Sequence, residues 1–110
     1  MADPNMAISE AFQAFLNESP RHAQAWMGAV KELGAASALD EKTRTLAYLS
    51  VLAALRLESG VPFHAAHAKA AGASRDEVIS AILVGLPAAG HVVTQSLPAA
   101  IRAWDTAPAR

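Results

Sequence analysis

The spacing of apolar side chains predicts two helices in the first third of the chain. The pattern from Ile8 to Leu16 has helical intervals and indicates a helix over residues 6–17. Ser19 followed by Pro20 is typical of an N-cap and a first helical position, so a second helix should begin there. We expect it to end at Gly34. The apolar stripe of this second helix comprises Trp26, Met27, Val30 and Leu33.

The middle of the chain predicts a long central helix. Asp40 is a good N-cap, and Glu41 in the first turn suits the positive end of the helix dipole. Almost every residue from Leu46 to Leu55 is apolar. Because a helix that is apolar on all sides is typically a buried one, we expect this helix to be buried and to end near Glu58.

Proline, glycine and capping signals predict a fourth and a fifth helix. Pro62 can begin the fourth helix, which should end at Gly72. The S-x-x-E pattern of residues 74–77 is a capping box and opens the fifth helix. Apolar spacing carries this helix to about Leu86, where a break that reaches Gly90 should follow.

The last predicted helix covers Val93–Trp104. Pro98 should either kink this helix or confine its regular part to one side. Residues 106–110 are expected to form a frayed tail. Since no segment alternates with the period of a strand, the predicted fold class is all-α. We expect a compact bundle of about six helices in a single domain, residues 1–110.

Composition and charge exclude several functional classes. The chain has 9 Lys or Arg and 10 Asp or Glu, for a formal net charge of -1. This is not the basic excess of a nucleic-acid-binding or membrane-binding surface, so neither partner is expected. The chain has no cysteine, which excludes disulfides, thiolate nucleophiles and iron–sulfur clusters. No residue pattern points to a cofactor, and none is expected.

The apolar residues predict contacts beyond a single subunit. Hydrophobic residues make up 53% of the chain. Of these residues, 27 are alanines, and each alanine buries little area. Residues 78–101 contain no charged side chain. Because glycines and prolines interrupt this segment, we expect a buried core or a subunit interface rather than a membrane span. The sequence therefore predicts a homo-oligomer, and without a visible secretory signal we expect it in the cytoplasm.

With no thiol, the candidate chemistry depends on histidines and carboxylates. His64 and His67 lie three residues apart, on one face of the predicted fourth helix. His91 lies near the start of the last helix, and His22 is expected on the surface. Two histidines at this spacing could bind a metal, but no HExxH arrangement or suitably spaced carboxylate accompanies them. We expect no metal site, and structural roles for these histidines stay open.

Three segments together resemble a known family. The sequence LDEKTR at residues 39–44 opens the long helix, and His64 stands eight residues before GASRDE at residues 72–77. Over residues 39–104, this combination resembles the carboxymuconolactone decarboxylase family, which includes the alkylhydroperoxidase D-like proteins. The resemblance implies an all-α, alkylhydroperoxidase D-like fold and an assembly of three or six subunits.

The redox branch of this family carries C-x-x-C-x-x-x-H with a glutamate twelve residues before the first cysteine. His64 falls on the family's histidine. Leu57 and Gly60 fall on the two cysteines, and Thr45 falls on the glutamate. Since the thiolate is the nucleophile in that chemistry, the resemblance implies a member without CxxC peroxidase activity.

The decarboxylase branch also keeps a histidine at the position of His64. It usually has a carboxylate one turn earlier, where this chain has Gly60. Glu58 is the nearest carboxylate along the chain, so we interpret His64 and Glu58 as a candidate catalytic acid–base pair. A surface position for Glu58 at a helix end stays open.

Three further residues are candidate substrate-binding groups. Arg44 matches an arginine on the family's long helix and could hold a substrate carboxylate through two hydrogen bonds. Alternatively, Arg44 forms a structural ion pair with Asp40, with Glu41 or with a neighbouring helix. His67 and His91 complete the candidate binding set.

Two functions stay open at this point. The first is a decarboxylase or lyase-type enzyme that acts on a small carboxylated or lactone metabolite, with His64 as the acid–base group. The start of a helix should lower the pKa of His64 and a nearby Glu58 would raise it, and we expect a neutral imidazole near pH 7. The second is a non-catalytic, oligomeric ligand-binding or scaffold protein that keeps the fold.

Overall fold

The structure, a computed structural model, describes residues 8–109. This part of the chain is helical with no β-strand, which confirms the all-α class. Its α-helices are α1 (Glu10–Glu18), α2 (Pro20–Ala36), α3 (Glu41–Ala54), α4 (Val61–Ala70), α5 (Arg75–Leu83), α6 (Leu86–Ala89) and α7 (Leu97–Thr106). Two 3₁₀ segments, Glu58–Gly60 and Gly90–Ser96, precede α4 and α7.

The first two helices begin at caps. Ser9 accepts a backbone hydrogen bond of 3.2 Å and caps α1, so this helix begins later than the predicted residue 6. Positions 6 and 7 lie outside the described residues. Pro20 begins α2 as predicted. The predicted stop at Gly34 is wrong, because this glycine keeps a helical backbone and α2 continues beyond it.

The central helix α3 is capped as predicted but is shorter. The side chain of Asp40 accepts a backbone hydrogen bond of 2.8 Å at its start. The helix ends before the expected Glu58, because Arg56 adopts the left-handed conformation with φ 61°. The amide of Leu57 then donates to the carbonyl of Leu52 at 2.9 Å, which closes the helix end. This turn sends the chain back along α3.

Only one side of α3 is buried. Leu49 and Ala53 are fully enclosed in the core. The opposite side carries Tyr48, Val51 and Leu55, each about half-exposed. The prediction of a helix buried on all sides is therefore wrong for the described part of a single subunit, in which no helix covers the outer side.

The capping box of α5 is confirmed. Ser74 Oγ accepts from the backbone of Glu77 at 3.0 Å, and the Glu77 carboxylate accepts from the backbone of Ser74 at 2.8 Å. The helix ends at Leu83 rather than Leu86, and the short helix α6 occupies most of the predicted break. Gly90, with φ 78°, ends α6 in a conformation that favours glycine.

The predicted sixth helix is divided in two. Its first part is the 3₁₀ segment, and the α-helix begins only at Leu97, so Pro98 lies in its first turn. Proline lacks an N–H and clashes with the preceding turn, which confines the regular helix to the C-terminal side. The prediction that Pro98 does so is confirmed, but the count of six helices is not. Thr106 belongs to α7 rather than to a tail.

The core lies where α3, α4, α5 and α7 meet. The α4 helix packs on α3 and α7, and α5 packs on α3 and α7. Alanines on α3, α4 and α7 are fully buried at these contacts and allow close approach of the helices. The hairpin of α1 and α2 packs chiefly on itself. The largest fully buried side chains are Leu49, Val61, Val78, Ile82 and Val93.

The stretch Arg75–Thr106 is long and apolar enough, by length and composition, to cross a membrane. In the structure it is not one straight helix. Gly85, Gly90 and Pro98 mark its breaks, and the chain folds back so that α5 and α7 contact each other. This stretch thus contributes two packed helices to the core.

Candidate active site on the face of α3 and α4

The antiparallel pairing of α3 and α4 brings the candidate residues together. Tyr48 on α3 lies beside His64 on α4. Nearer the start of α3 and the end of α4, Glu41 lies beside His67. The left-handed turn at Arg56 sets this register, because it directs α4 back along α3. His64 and His67 share one face of α4, as their spacing predicts.

His64 lies between two aromatic rings. Its ring centroid is 4.6 Å from that of Tyr48 and 5.2 Å from that of Phe63. The pKa of His64 is lowered from 6.5 to about 4, mainly by burial and in smaller part by the charge of His67. The expected neutral imidazole is thus supported, but burial is its main cause rather than the start of the helix.

A second imidazole has a carboxylate partner. Nε2 of His67 lies 2.7 Å from Oε1 of Glu41, and both side chains are about half-exposed. The pair joins the first turn of α3 to the last turn of α4. A histidine hydrogen-bonded to a carboxylate is a common proton-transfer arrangement, so this pair is a candidate for acid–base work.

The structure does not join the predicted pair of His64 and Glu58. Glu58 lies in the 3₁₀ segment before α4, and within residues 8–109 its side chain makes no hydrogen bond or ion pair with a histidine. No carboxylate contributes to the pKa shift of His64. The predicted His91 is exposed, in the second 3₁₀ segment, and contacts neither His64 nor His67 through its ring.

Arg44 lies on the same side of α3 as this site. Its spacing of three from Glu41 and four from Tyr48 places the three residues on one helix face. Nη1 donates to the carbonyl of Leu39 at 3.3 Å, and the guanidinium packs against Gly34. No carboxylate of residues 8–109 lies within 4.0 Å of it, so the alternative of an ion pair is not observed there.

Two members of this site were not predicted. Glu41 was identified only as a helix-start residue, and Tyr48 only as a polar exception in an apolar run. The signal that could have found them is their spacing of seven residues, or two turns, which places both on one face of α3, just as a spacing of three places His64 and His67 on one face of α4. That alignment depends on the length of the connection, which the hydrophobic pattern does not determine.

Other concave surfaces lie away from these residues. One open depression lies at the start of α2 and includes His22, and another lies between α3 and α5. Within the described part of the chain, no three histidine, aspartate or glutamate side chains gather as metal ligands.

The comparison with known families identifies the class of protein. The Carboxymuconolactone decarboxylase family matches residues 20–104, from the first residue of α2 almost to the end of α7. The chain therefore belongs to this family, and it is a member without cysteine. No curated protein and no solved structure matches the chain.

The positions that carry the family's redox chemistry have structural roles here. Thr45 is buried and its hydroxyl donates to the carbonyl of Glu41 at 2.7 Å. Gly60 packs beside Leu52, and Leu57 is half-exposed before α4. The Glu41–His67 pair lies one turn outward from Thr45 and His64 on both helices. A carboxylate and an imidazole thus face each other on the same two helices, one turn away from the matched positions.

Proposed function

We propose that this protein is a cysteine-independent enzyme of the decarboxylase or lyase type, acting on a small carboxylated or lactone metabolite. The observation that carries this proposal is a neutral His64 beside the Glu41–His67 pair, on the face of α3 that also bears Arg44. Together these groups supply a base, a proton-transfer pair and a cation. Family membership supports the choice of substrate class.

Each group has a role that its chemistry allows. The guanidinium of Arg44 binds the substrate carboxylate, since its remaining N–H donors can form two parallel hydrogen bonds. The neutral imidazole of His64 accepts a proton from the substrate and, once protonated, returns it to another atom of the substrate. The Glu41–His67 pair stands beside it as the second proton-transfer group. The aromatic rings of Tyr48 and Phe63 position the His64 ring.

A second function is favoured by one specific observation. His64 packs between two rings, and the predicted Glu58 and His91 do not converge on it. A non-catalytic oligomeric ligand-binding or scaffold protein would also present such a site. We propose a homo-oligomer for either function, and trimers or hexamers are the assemblies that the family resemblance implies.

Thermal shift and CO2 release, measured over a panel of carboxylated lactones and small dicarboxylic acids, test these proposals. An enzyme should show one compound that raises the melting temperature and is also turned over. His64→Asn should abolish turnover while helix content by circular dichroism stays unchanged, and His67→Ala should have a smaller effect. Arg44→Met should raise KM, whereas the matched control Arg102→Met, on the exposed side of α7, should not.

The outcomes separate the two functions. Binding without turnover, with equal affinity in His64→Asn, would contradict the enzyme and support the binding protein. Turnover that survives both His64→Asn and Arg44→Met would show that the reacting groups lie elsewhere. If His64→Asn instead loses its helix content, His64 is a structural residue.

A further inference from the structure

Two exposed apolar surfaces lie on different parts of this chain. The first, which we name the α2 stripe, consists of Trp26, Met27, Val30 and Leu33. The second, the α3–α4 stripe, consists of Tyr48, Val51, Leu55 and Phe63. Their eight side chains are between 40% and 68% exposed. Neither stripe covers the other within the subunit, because both are exposed in the same chain.

The α2 stripe has no partner among residues 8–109 of its own subunit. Its members recur at helical spacing along one face of α2, as on a helix that packs against another element. Yet the single buried residue of α2 is Ala23. The hairpin of α1 and α2 packs chiefly on itself, and at the other end of α2, Gly34 lies against the side chain of Arg44. The apolar face of α2 is therefore presented outward.

The two stripes match in length and in charge. From Trp26 to Leu33 and from Tyr48 to Leu55 the helix advances by seven residues, or about 10 Å in each case. Residues 22–30 and 45–55 contain no Lys, Arg, Asp or Glu, although Lys31 and Glu32 separate Val30 from Leu33. Contact between residues 22–30 and 45–55 would therefore remove apolar surface from water without burying a charged side chain from either range.

The exposed area is of the size that a subunit contact needs. An aromatic side chain has roughly 150–250 Å² of surface, so Trp26, Tyr48 and Phe63 each expose about 100 Å². With the five aliphatic members, the two stripes together expose several hundred Å². In a twofold-symmetric pair each copy buries both of its stripes in one interface, which approaches the ~800 Å² that each partner contributes to a stable interface.

We propose that the α2 stripe of one subunit packs on the α3–α4 stripe of a second copy and so closes the His64 site. Tyr48 and Phe63 belong to the stripe, and their rings are also the neighbours of His64. Whatever covers this stripe therefore covers the site and excludes water from it. In this arrangement the site is complete only in the assembly, and Trp26 is the partner's largest contribution to its wall.

The absence of native cysteine allows a direct test by disulfide cross-linking. Val30→Cys is combined in turn with Val51→Cys and with Leu55→Cys, and each double variant of the full chain is oxidised. We expect covalent dimers or larger species on a non-reducing gel. The control combines Val30→Cys with Val84→Cys, because Val84 is the most exposed of the valines and belongs to neither stripe. This control should remain monomeric on the gel.

A second measurement follows assembly and closure in solution. The wild-type chain should scatter light as a multiple of 11.4 kDa at micromolar concentration, and Val30→Asp should reduce it to 11.4 kDa with its helix content retained. Val84→Asp should leave the assembly intact. Modification by diethyl pyrocarbonate, mapped by mass spectrometry, should become severalfold faster at His64 in Val30→Asp. The rate at the exposed His91, which belongs to neither stripe, should not change.

Three results would overturn this inference. One is a wild-type chain that is monomeric at micromolar concentration. Another is a disulfide that forms within one chain, or thiols that stay free in both cross-linking variants. The third is an unchanged rate of modification at His64 in Val30→Asp. The location of the site rests on the proposed function. None of these measurements requires a reaction at the site. The subunit contact and the proposed function can therefore be disproved separately.

Discussion

The carboxylate of Glu41 lies 2.7 Å from Nε2 of His67, across the antiparallel pair of α3 and α4. This hydrogen bond joins the first turn of one helix to the last turn of the next. Both side chains are about half-exposed, so the pair is in reach of a small molecule from solvent. Glu41 is therefore the carboxylate on α3 that the proposed function pairs with a histidine.

Replacement of Glu41 by Gln should separate chemistry from stability. An exposed ion pair contributes about 0–1 kcal/mol, so the free energy of unfolding in urea should change by no more than that. Turnover of the substrate found in the metabolite panel should fall, because the amide cannot exchange protons. Glu77→Gln is the matched control: it removes the same charge from the exposed Lys42–Glu77 pair and should leave turnover unchanged. An equal loss in both variants would argue against a role for Glu41.

The stability of the fold should decrease as pH falls from 6.5 to 4. The pKa of His64 is about 4 in the folded chain and 6.5 as its ordinary value, so the unfolded chain binds more protons between these limits. Acidification therefore favours unfolding in this window, and His64→Gln should flatten the slope. Urea titrations at a series of pH values and at fixed protein concentration measure the free energy of unfolding and give this slope.

The acidic side chains allow a control for this pH experiment. Hydrogen bonds to Lys42 and to the backbone of Ser74 lower the pKa of Glu77, and an ion pair with Arg75 lowers the pKa of Asp105. A carboxyl group with a lowered pKa stabilises the fold above its ordinary pKa and loses that contribution as pH falls further. Glu77→Gln should thus lower the free energy of unfolding by a constant amount above about pH 4.5 and change the slope of the curve only below that pH. A slope that persists from pH 6.5 to 4 in His64→Gln would contradict our assignment.

Lys69→Met should destabilise the fold by about 2 kcal/mol. Nζ of Lys69 donates to the carbonyls of Trp104 and Ala107 at 2.9 Å each and lies 4.0 Å from the centroid of the Trp104 ring. The lysine thus ties α4 to the end of α7, where a cation also suits the negative end of the helix. Methionine keeps most of the packing and removes the donors. Urea denaturation should show no such loss for the exposed control Arg102→Met.

Cysteines introduced at positions 57 and 60, which match the two cysteines of the family's redox branch, should form a disulfide. Leu57 and Gly60 flank a 3₁₀ turn in which the amide of Gly60 donates to the carbonyl of Leu57 at 3.0 Å, so their side chains project to the same side. A Cβ at Gly60 would meet only the methyl groups of Leu52 at 3.5 Å, an ordinary contact. Leu57→Cys/Gly60→Cys should therefore lose both free thiols on oxidation and regain them with a dithiol.

The wild-type chain should consume no peroxide with a dithiol reductant, because it has no thiol. The serine variant Leu57→Ser/Gly60→Ser should likewise consume no peroxide. Peroxide consumption by the wild-type chain above that of a boiled sample would mean that other residues supply the redox chemistry.

Local signals predicted the helix starts well. The caps at Asp40 and Ser74 and the proline at the start of α2 act over three or four residues, so the sequence itself contains both partners of each contact. The end of α3 was missed because Arg56 takes a left-handed backbone that usually favours glycine. Gly34, by contrast, has the residue type of a helix stop and remains in the helix.

The candidate site was only partly predictable for a different reason. His64 was found by its match to the family, but its partners depend on how α4 registers against α3. The pairing of Tyr48 with His64 follows from the turn at Arg56, and no periodicity in the sequence reports it. Likewise, apolar spacing showed that α2 has an apolar face but not which surface covers it.

The paired helices α3 and α4 have a consequence for the order of folding. All the residues of the candidate site lie in this one helical hairpin, and Glu41 and His67 are 26 residues apart in the chain. Contacts between segments close in sequence form with a small loss of chain entropy and therefore early. In pulsed hydrogen exchange, we expect the amides of α3 and α4 to be protected before those of α7, because the contact of Lys69 with Trp104 that joins α4 to α7 spans 35 residues. The surface that holds the chemistry would thus exist before the subunit meets another copy.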